Sequence, residues 1–166
     1  MREGDRLILN VGRMDPMKSQ HSLILALKRV LKKVPNAKVL LVGNGSFSSS
    51  KLGMGGLKAE RWLNYLKSLA VAQGVSDKVI FAGYLAEDEL RTAYSASDVF
   101  VLPSFMEGFG LVVVEAWLYK KPTIVSSLAG IGEMISDGTN GLTFDPENER
   151  DLAWKIVSIL KDPEFA

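Results

Sequence analysis

The sequence contains no cysteine and only one histidine, His21. Without cysteine there are no disulfides and no thiolate metal sites, and the compartment stays open. No stretch approaches the roughly 20 apolar residues that a membrane-spanning helix needs. The opening residues MREGDRLILNVG lack the apolar centre and small-residue cleavage site of a secretory signal. A cytoplasmic protein is therefore expected. Net charge is missing too: 20 basic and 19 acidic residues leave a formal total of +1. The basic footprint of a nucleic-acid partner is absent. No acidic or histidine cluster offers metal ligands, so neither a metal nor a cofactor is expected.

What the chain does have is aliphatic sequence in short runs. At 166 residues, 47% hydrophobic and 23% charged, it has the size and composition of one soluble domain spanning residues 1–166. Buried strands are expected at 6–12, 37–43, 78–83, 98–103 and 122–127, with a short sixth at 141–144. Between them, helical spacing links Leu23, Ile24, Leu27, Val30, Leu31 and Val34, with Pro35-Asn36 as the stop. A second helix runs from about Leu57 to Gln73 with Gly74 behind it, a third covers Glu87–Ala96, and a last covers Asp151–Leu160. Strands aliphatic on both faces and separated by helices form a covered parallel sheet. The predicted fold class is α/β: a doubly wound, Rossmann-like parallel sheet of about six strands with helices on both faces. The Ser/Gly-rich segment 44–56 has no periodicity and is expected to be a mobile loop on the ligand-binding edge, either a surface insertion or a lid.

The segment EGFGLVVVE, residues 107–115, carries a glutamate at each end. A parallel crossover must fit between strands four and five. The helix is therefore expected to begin near Gly108–Gly110, despite three consecutive valines. Glu107 then lies in the loop and Glu115 about two turns inside. Gly108 and Gly110 let a ligand approach amides at the positive helix end. Read as the acid and base of a glycoside hydrolase, eight helical residues span about 12 Å, more than the roughly 5–9.5 Å such pairs need. That reading is disfavoured rather than excluded, because Glu107 is not helical. Two carboxylates accepting from hydroxyls on two rings of one extended ligand fit better, with phosphates between the rings. Arg13 and Lys18, in the loop after Gly12, supply the charge a diphosphate requires.

Together these pieces resemble the donor-binding C-terminal domain of the retaining glycosyltransferases of family four, of GT-B fold. The resemblance runs through VGRMDPMKS, LLVGNGS, VIFAGYL, the block SASDVFVLPSFMEGFGLVVVEAWLYKKPTIVSS and AGIGEMISDGTNGLTF. It implies that Arg13 and Lys18 meet the donor diphosphate, and that Glu107 meets the transferred sugar. Glu115 would meet the ribose. Gly12 and the amides of Phe109, Gly110 and Leu111 would cradle phosphate and sugar, and the main chain of Tyr84 and Leu85 the base. Glu107, Arg13 and Lys18 are the implied catalytic residues. The implied reaction transfers a hexosyl group to a hydroxyl of a sugar or lipid-linked acceptor. It also implies an N-terminal acceptor domain or partner chain that this chain lacks, so binding is expected of it alone and little transfer. Ser19-Gln20 stands where the family usually has glycine, which implies a backbone held farther from phosphate; Ala129-Gly130 replaces a glycine pair, which implies slight crowding of the site; and the 44–56 loop is long.

Two other functions stay open: a non-catalytic nucleotide-sugar sensor or regulatory module, and a relative such as an epimerase, whose acid/base residues are not displayed. An NAD site is disfavoured because GNGSFS lacks the third glycine. His21 is expected on a helix surface. Lys28, Arg29, Lys32 and Lys33 are read as a solvated basic face, with an anionic membrane surface as the alternative. Trp62, Trp117 and Trp154 are expected in the core. Asp98 and Glu133 are read as strand-end and loop capping residues, with ligand contact as the alternative.

Overall fold

The computed structural model describes residues 3–45 and 54–162, without the side chains of 54–56; most of the Ser/Gly-rich segment lies outside the described residues. Six strands are formed by Arg6–Val11 (β1), Ala37–Val42 (β2), Val79–Gly83 (β3), Val99–Leu102 (β4), Thr123–Ser126 (β5) and Leu142–Phe144 (β6). All pairings are parallel, in the order β3-β2-β1-β4-β5-β6. The helices are Gln20–Val30 (α1), Met54–Gln73 (α2), Glu87–Ala96 (α3), Leu111–Leu118 (α4) and Glu149–Lys161 (α5).

Strand side chains alternate between two cores, as a period of two requires. Ile8, Val99, Val101 and Ile124 pack with the buried stripes of α1, α2 and α5. Leu9, Phe100, Leu102 and Val125 pack on the other face with Tyr94 of α3 and with Val113 and Ala116 of α4. The expected doubly wound sheet is present.

The chain reverses its winding between β1 and β4, the place where such sheets open a crevice at the strand C-termini. Pairing is thin there. β1 matches β2 over six residues, from Arg6↔Ala37 to Val11↔Val42. It matches β4 only at Ile8↔Val99 and Leu9↔Phe100. Just past that ladder, buried Asn10 donates its side-chain amide to the Val101 carbonyl at 2.9 Å. A side chain thus bridges the strands where the backbone ladder ends.

Some expectations need correction. Helix α1 stops at Val30, and residues 31–34 continue as tight turns, Lys32 and Lys33 bonding the carbonyls of Arg29 and Val30. Trp154 is 62% exposed. Leu152, Ala153, Ile156, Ile159 and Leu160 form the buried stripe of α5, and position 154 faces away from it. Trp62 and Trp117 are half-buried against the cores. His21 is not a surface residue of α1: it is half-buried edge-on against Trp62, ring centroids 5.5 Å apart. Lys28, Arg29, Lys32 and Lys33 are exposed, as expected. Asp98 lies at the N-terminal end of β4, away from the crevice, where it accepts from the Leu7 amide at 2.7 Å and pairs with Arg6. Glu133 is exposed in a short 3-10 turn, Gly130–Met134.

Candidate functional site

Glycines bring the strand ends together. The Gly12 amide donates to Val42 at 2.9 Å, and the Gly43 amide donates to Gly83 at 2.7 Å. Gly43 has φ +133°, and a Cβ there would lie 2.1 Å from the Gly12 carbonyl oxygen. No other residue fits. This close approach sets the start of the 12–19 loop over the sheet edge.

Within that loop, Asp15 accepts from the Met17 amide at 3.0 Å, starting a single 3-10 turn, Pro16–Lys18. Lys58 of α2 reaches Asp15 at 3.1 Å. Burial alone would raise the Asp15 carboxyl. The Met17 hydrogen bond, Lys58 and the charge of Arg13 outweigh burial and hold it below its ordinary value. Gln20 is fully buried. Its amide nitrogen donates to the Arg13 carbonyl at 2.7 Å, and its oxygen accepts from the Trp62 indole at 2.8 Å. Helix α2 therefore fixes the backbone of Arg13 through Gln20.

The opposite wall is the β4–α4 connection. The amides of Phe105 and Met106 both donate to Met17, at 2.9 and 3.3 Å, which ties the two loops to each other. Lys18 Nζ then meets Glu107 Oε2 at 2.5 Å, with both side chains about one-sixth exposed. Ser104 adds a longer contact to the same oxygen at 3.4 Å. Helix α4 opens at Gly110, φ +98°, as the sequence predicts. Among the described residues, the amides of Phe109, Gly110 and Leu111 donate to no protein acceptor. The Glu107 and Phe109 carbonyls instead accept from Gly130 and Ile131, at 3.2 and 2.8 Å. A Cβ at Gly130 would fall 2.0 Å from the Gly108 carbonyl oxygen, so glycine is required there. The adjoining Ala129 is buried with φ −81°, ordinary for alanine.

Glu115 is in the second turn of α4, nearer the mouth than expected. Its Oε2 accepts from the Tyr94 hydroxyl at 2.8 Å. Tyr94 is buried on α3, stacked on Tyr119 at 5.5 Å and 7° and tilted against Phe100. Burial first, and then the carboxylate, push its phenol well above the ordinary 10.0. Leu85 packs into the same cluster as Val112 and Val114, while Tyr84 is 75% exposed beside it.

Arg13, Lys18, Glu107, Glu115, Gly12, Tyr84 and Leu85 thus all lie at the C-terminal edge of the sheet, and Gly108, Phe109, Gly110 and Leu111 form the mouth of α4 there. The two glutamates belong to separate networks, one ionic and one phenolic. No group of three or more His, Asp or Glu is arranged around a common point among the described residues. A hollow of about 480 Å³ lies at the opposite edge, between Trp117, Lys121, Thr123 and Asn140. Several of its polar groups are already engaged: Lys121 with the Ser95 carbonyl, Trp117 with Thr123, and Asn140 with Ser136 and Met134. It contains none of the residues above.

The family model described as glycosyl transferases group 1 matches residues 1–166, the full chain. The chain belongs to that family. An uncharacterized glycosyltransferase of Methanocaldococcus jannaschii is 33% identical over 165 residues, 99% of this chain and 38% of the relative. A D-inositol 3-phosphate glycosyltransferase of Mycolicibacterium vanbaalenii is 32% identical over 157 residues, 93% of this chain and 33% of the relative. Among solved structures, the sucrose-phosphate synthase of Thermosynechococcus elongatus superposes with TM-score 0.83 at 31% identity, covering 100% of this chain and 39% of that one. Anabaena HepE in complex with UDP-glucose superposes with TM-score 0.83 at 26% identity, covering 98% and 41%. The chain thus spans about a third to two fifths of the length of these relatives. No described helix is long and apolar enough to cross a membrane.

In this group 1 glycosyl transferase chain, reading the sequence missed Tyr94, Gln20, Asn10 and Ser104. Gln20 and Asn10 left a signal, being amides inside otherwise apolar stretches, where burial demands a partner. Tyr94 left none, because a tyrosine on an amphipathic helix reads as packing.

Proposed function

We propose that the chain is the donor-binding half of a retaining hexosyltransferase, taking a nucleoside-diphosphate sugar and passing the hexosyl group to an acceptor hydroxyl. One observation carries the reading: a lysine from the first loop meets a glutamate at the mouth of a glycine-opened helix whose first amides have no protein acceptor among the described residues. Lys18 has three N–H donors and gives one to Glu107, leaving two for phosphate oxygens. Glu107 keeps its second oxygen for a sugar hydroxyl. Arg13, Lys18 and the amides of Phe109, Gly110 and Leu111 then surround one pyrophosphate. The HepE complex with UDP-glucose, at similar fold, supports the assignment by likeness.

The bond from the anomeric carbon to the diphosphate oxygen breaks, a bond to the acceptor oxygen forms on the same face, and the acceptor's hydroxyl proton passes to the departing diphosphate. Negative charge builds on the departing diphosphate, where the cations and amides are already aimed and need no reorganisation. They do the work a divalent ion does elsewhere, so donor binding is expected to survive a chelator. The acceptor, a sugar or a lipid-linked molecule, is contributed with a second domain or partner chain. Each charge-assisted hydrogen bond contributes about 1.5–3 kcal/mol, so Arg13→Ala should weaken donor binding roughly 10- to 100-fold. Titration calorimetry with UDP-, GDP- and ADP-sugars tests this and identifies the nucleotide. Equal affinity in the variant and the parent would remove the site.

A further inference from the structure

We infer that Tyr94 is a positioning residue, holding Glu115 so that one carboxylate oxygen faces a ribose diol. The inference rests on the proposed nucleotide-sugar site and adds a residue to it. The geometry is specific. The Tyr94 hydroxyl is 2.8 Å from Glu115 Oε2 and 3.4 Å from the Val112 carbonyl, in the first turn of α4. Both distances together put the carboxylate back over that first turn, as the N-terminal tilt of helical side chains favours.

The phenol itself has little freedom. It is 2% exposed, stacked on Tyr119 and tilted against Phe100, with α3 supplying the backbone. A free glutamate on a helix samples several rotamers and loses that freedom when it binds. Glu115 has already lost it. Among the described residues, the Tyr94 hydroxyl is the one donor that reaches this carboxylate, and it occupies a single oxygen. The other oxygen, being acceptor-only, suits a partner that presents hydroxyl donors. A vicinal diol is such a partner, and a deoxy sugar is not. Tyr94 therefore acts through Glu115 on the preference for ribonucleotides and makes no ligand contact of its own.

The test measures UDP, GDP and ADP by titration calorimetry, each beside its 2′,3′-dideoxy counterpart, against the parent chain, Tyr94→Phe, Glu115→Gln and the double variant. The parent should prefer the ribonucleotide about 10-fold or more, the size of one charge-assisted hydrogen bond. Tyr94→Phe should cut that preference to less than about threefold and leave dideoxy affinity unchanged. In the Tyr94→Phe background, Glu115→Gln should cost little more, because the two act as one unit. A full ribose preference in Tyr94→Phe would overturn the inference. So would an equal loss for both nucleotide forms, which marks a purely structural hydroxyl. If Glu115→Gln itself leaves the ratio untouched, the assignment of Glu115 to ribose has failed instead. Thermal melts of each variant confirm that folded proteins are being compared.

Discussion

Glu107 and Glu115 stand eight residues apart in the sequence, and the fold holds them by opposite means. Glu107 is in a loop, gripped by a cation at 2.5 Å. Glu115 is on a helix, gripped by a neutral phenol inside an aromatic stack. The loop side is assembled from backbone brought too close for any side chain, at Gly43 on Gly12 and Gly130 on Gly108. The helix side is assembled from packed rings. One side should therefore yield to backbone changes and to salt, and the other to the loss of a single hydroxyl.

The harshest way to separate the two sides is Gly130→Ala. Its Cβ would meet the Gly108 carbonyl oxygen at 2.0 Å and the carbonyl carbon at 3.1 Å, and backbone cannot swing aside as a side chain does. The pairing of 107–109 with 129–131 should break, at an overpacking cost of about 1–3 kcal/mol. For a chain of this size each kcal/mol lowers Tm by roughly 2–4 °C. A melt several degrees lower, with donor binding lost, is the expected result. Unchanged melting would mean the loop is not built on that contact.

Lys18→Met comes next and acts on charge alone. Donor affinity should fall about 10-fold or more, as expected for a charge-assisted contact. The remaining affinity should also depend less on salt, since one cation–phosphate contact has been removed and a neutral phenol is not screened. Calorimetry at low and high salt reads both. A variant whose affinity still falls with salt as steeply as the parent's would move the phosphate contact elsewhere.

Acid and alkali should act on different groups of the fold. Burial against Trp62 lowers the His21 pKa below its ordinary 6.5, with Glu149 partly opposing. The unfolded chain takes up this proton near 6.5 and the folded chain only at lower pH. The stability tied to neutral His21 is thus complete above 6.5 and drains away as pH falls below it. Tyr94 has the opposite sign. Its phenol is raised above 10.0, so its contribution is complete below that pH and is lost only in more alkaline solution. His21→Gln should flatten the fall of Tm between pH 8 and about 5 while leaving the alkaline limb unchanged. A parent-like acid slope in the variant would assign the effect to other groups.

The outline of both sides was legible in the sequence, because it depends on periodicity and glycine. Aliphatic runs such as VFVL gave the buried strands, and the need for a crossover placed a helix over LVVVEAWL against its β-branched propensity. Arg13 and Lys18 stand out as cations just after a glycine-ended strand, and Glu107 and Glu115 as carboxylates at the two ends of one apolar run. The links between them were not legible. Nothing in EGFG says that Glu107 faces Lys18, which is 89 residues away in the chain. Tyr94 is indistinguishable from packing until α3 and α4 lie on one face. His21 and Trp154 were misjudged because one apolar stripe cannot show which helix flanks a helix. In the structure α2 covers His21, and nothing described covers Trp154.

The smallest expected effect concerns the residue that joins Lys18 to α1. Ser19 is 4% exposed and has φ +50°, the left-handed region where serine is strained and glycine is not. Serine in place of glycine here is expected, from the sequence, to hold the backbone farther from phosphate. In the structure the turn keeps its left-handed form, and the departure appears as strain. Ser19→Gly should relieve it at the expense of added freedom in the unfolded chain, for a net gain of about 0.5–1 kcal/mol. That corresponds to a rise in Tm of roughly 1–4 °C. Donor affinity should change less than about threefold, because Lys18 is already held by Glu107 and by the loop contacts to Met17. A large rise in affinity without added stability would instead mean that the serine had been displacing the lysine, and that the ion pair does not fix its position.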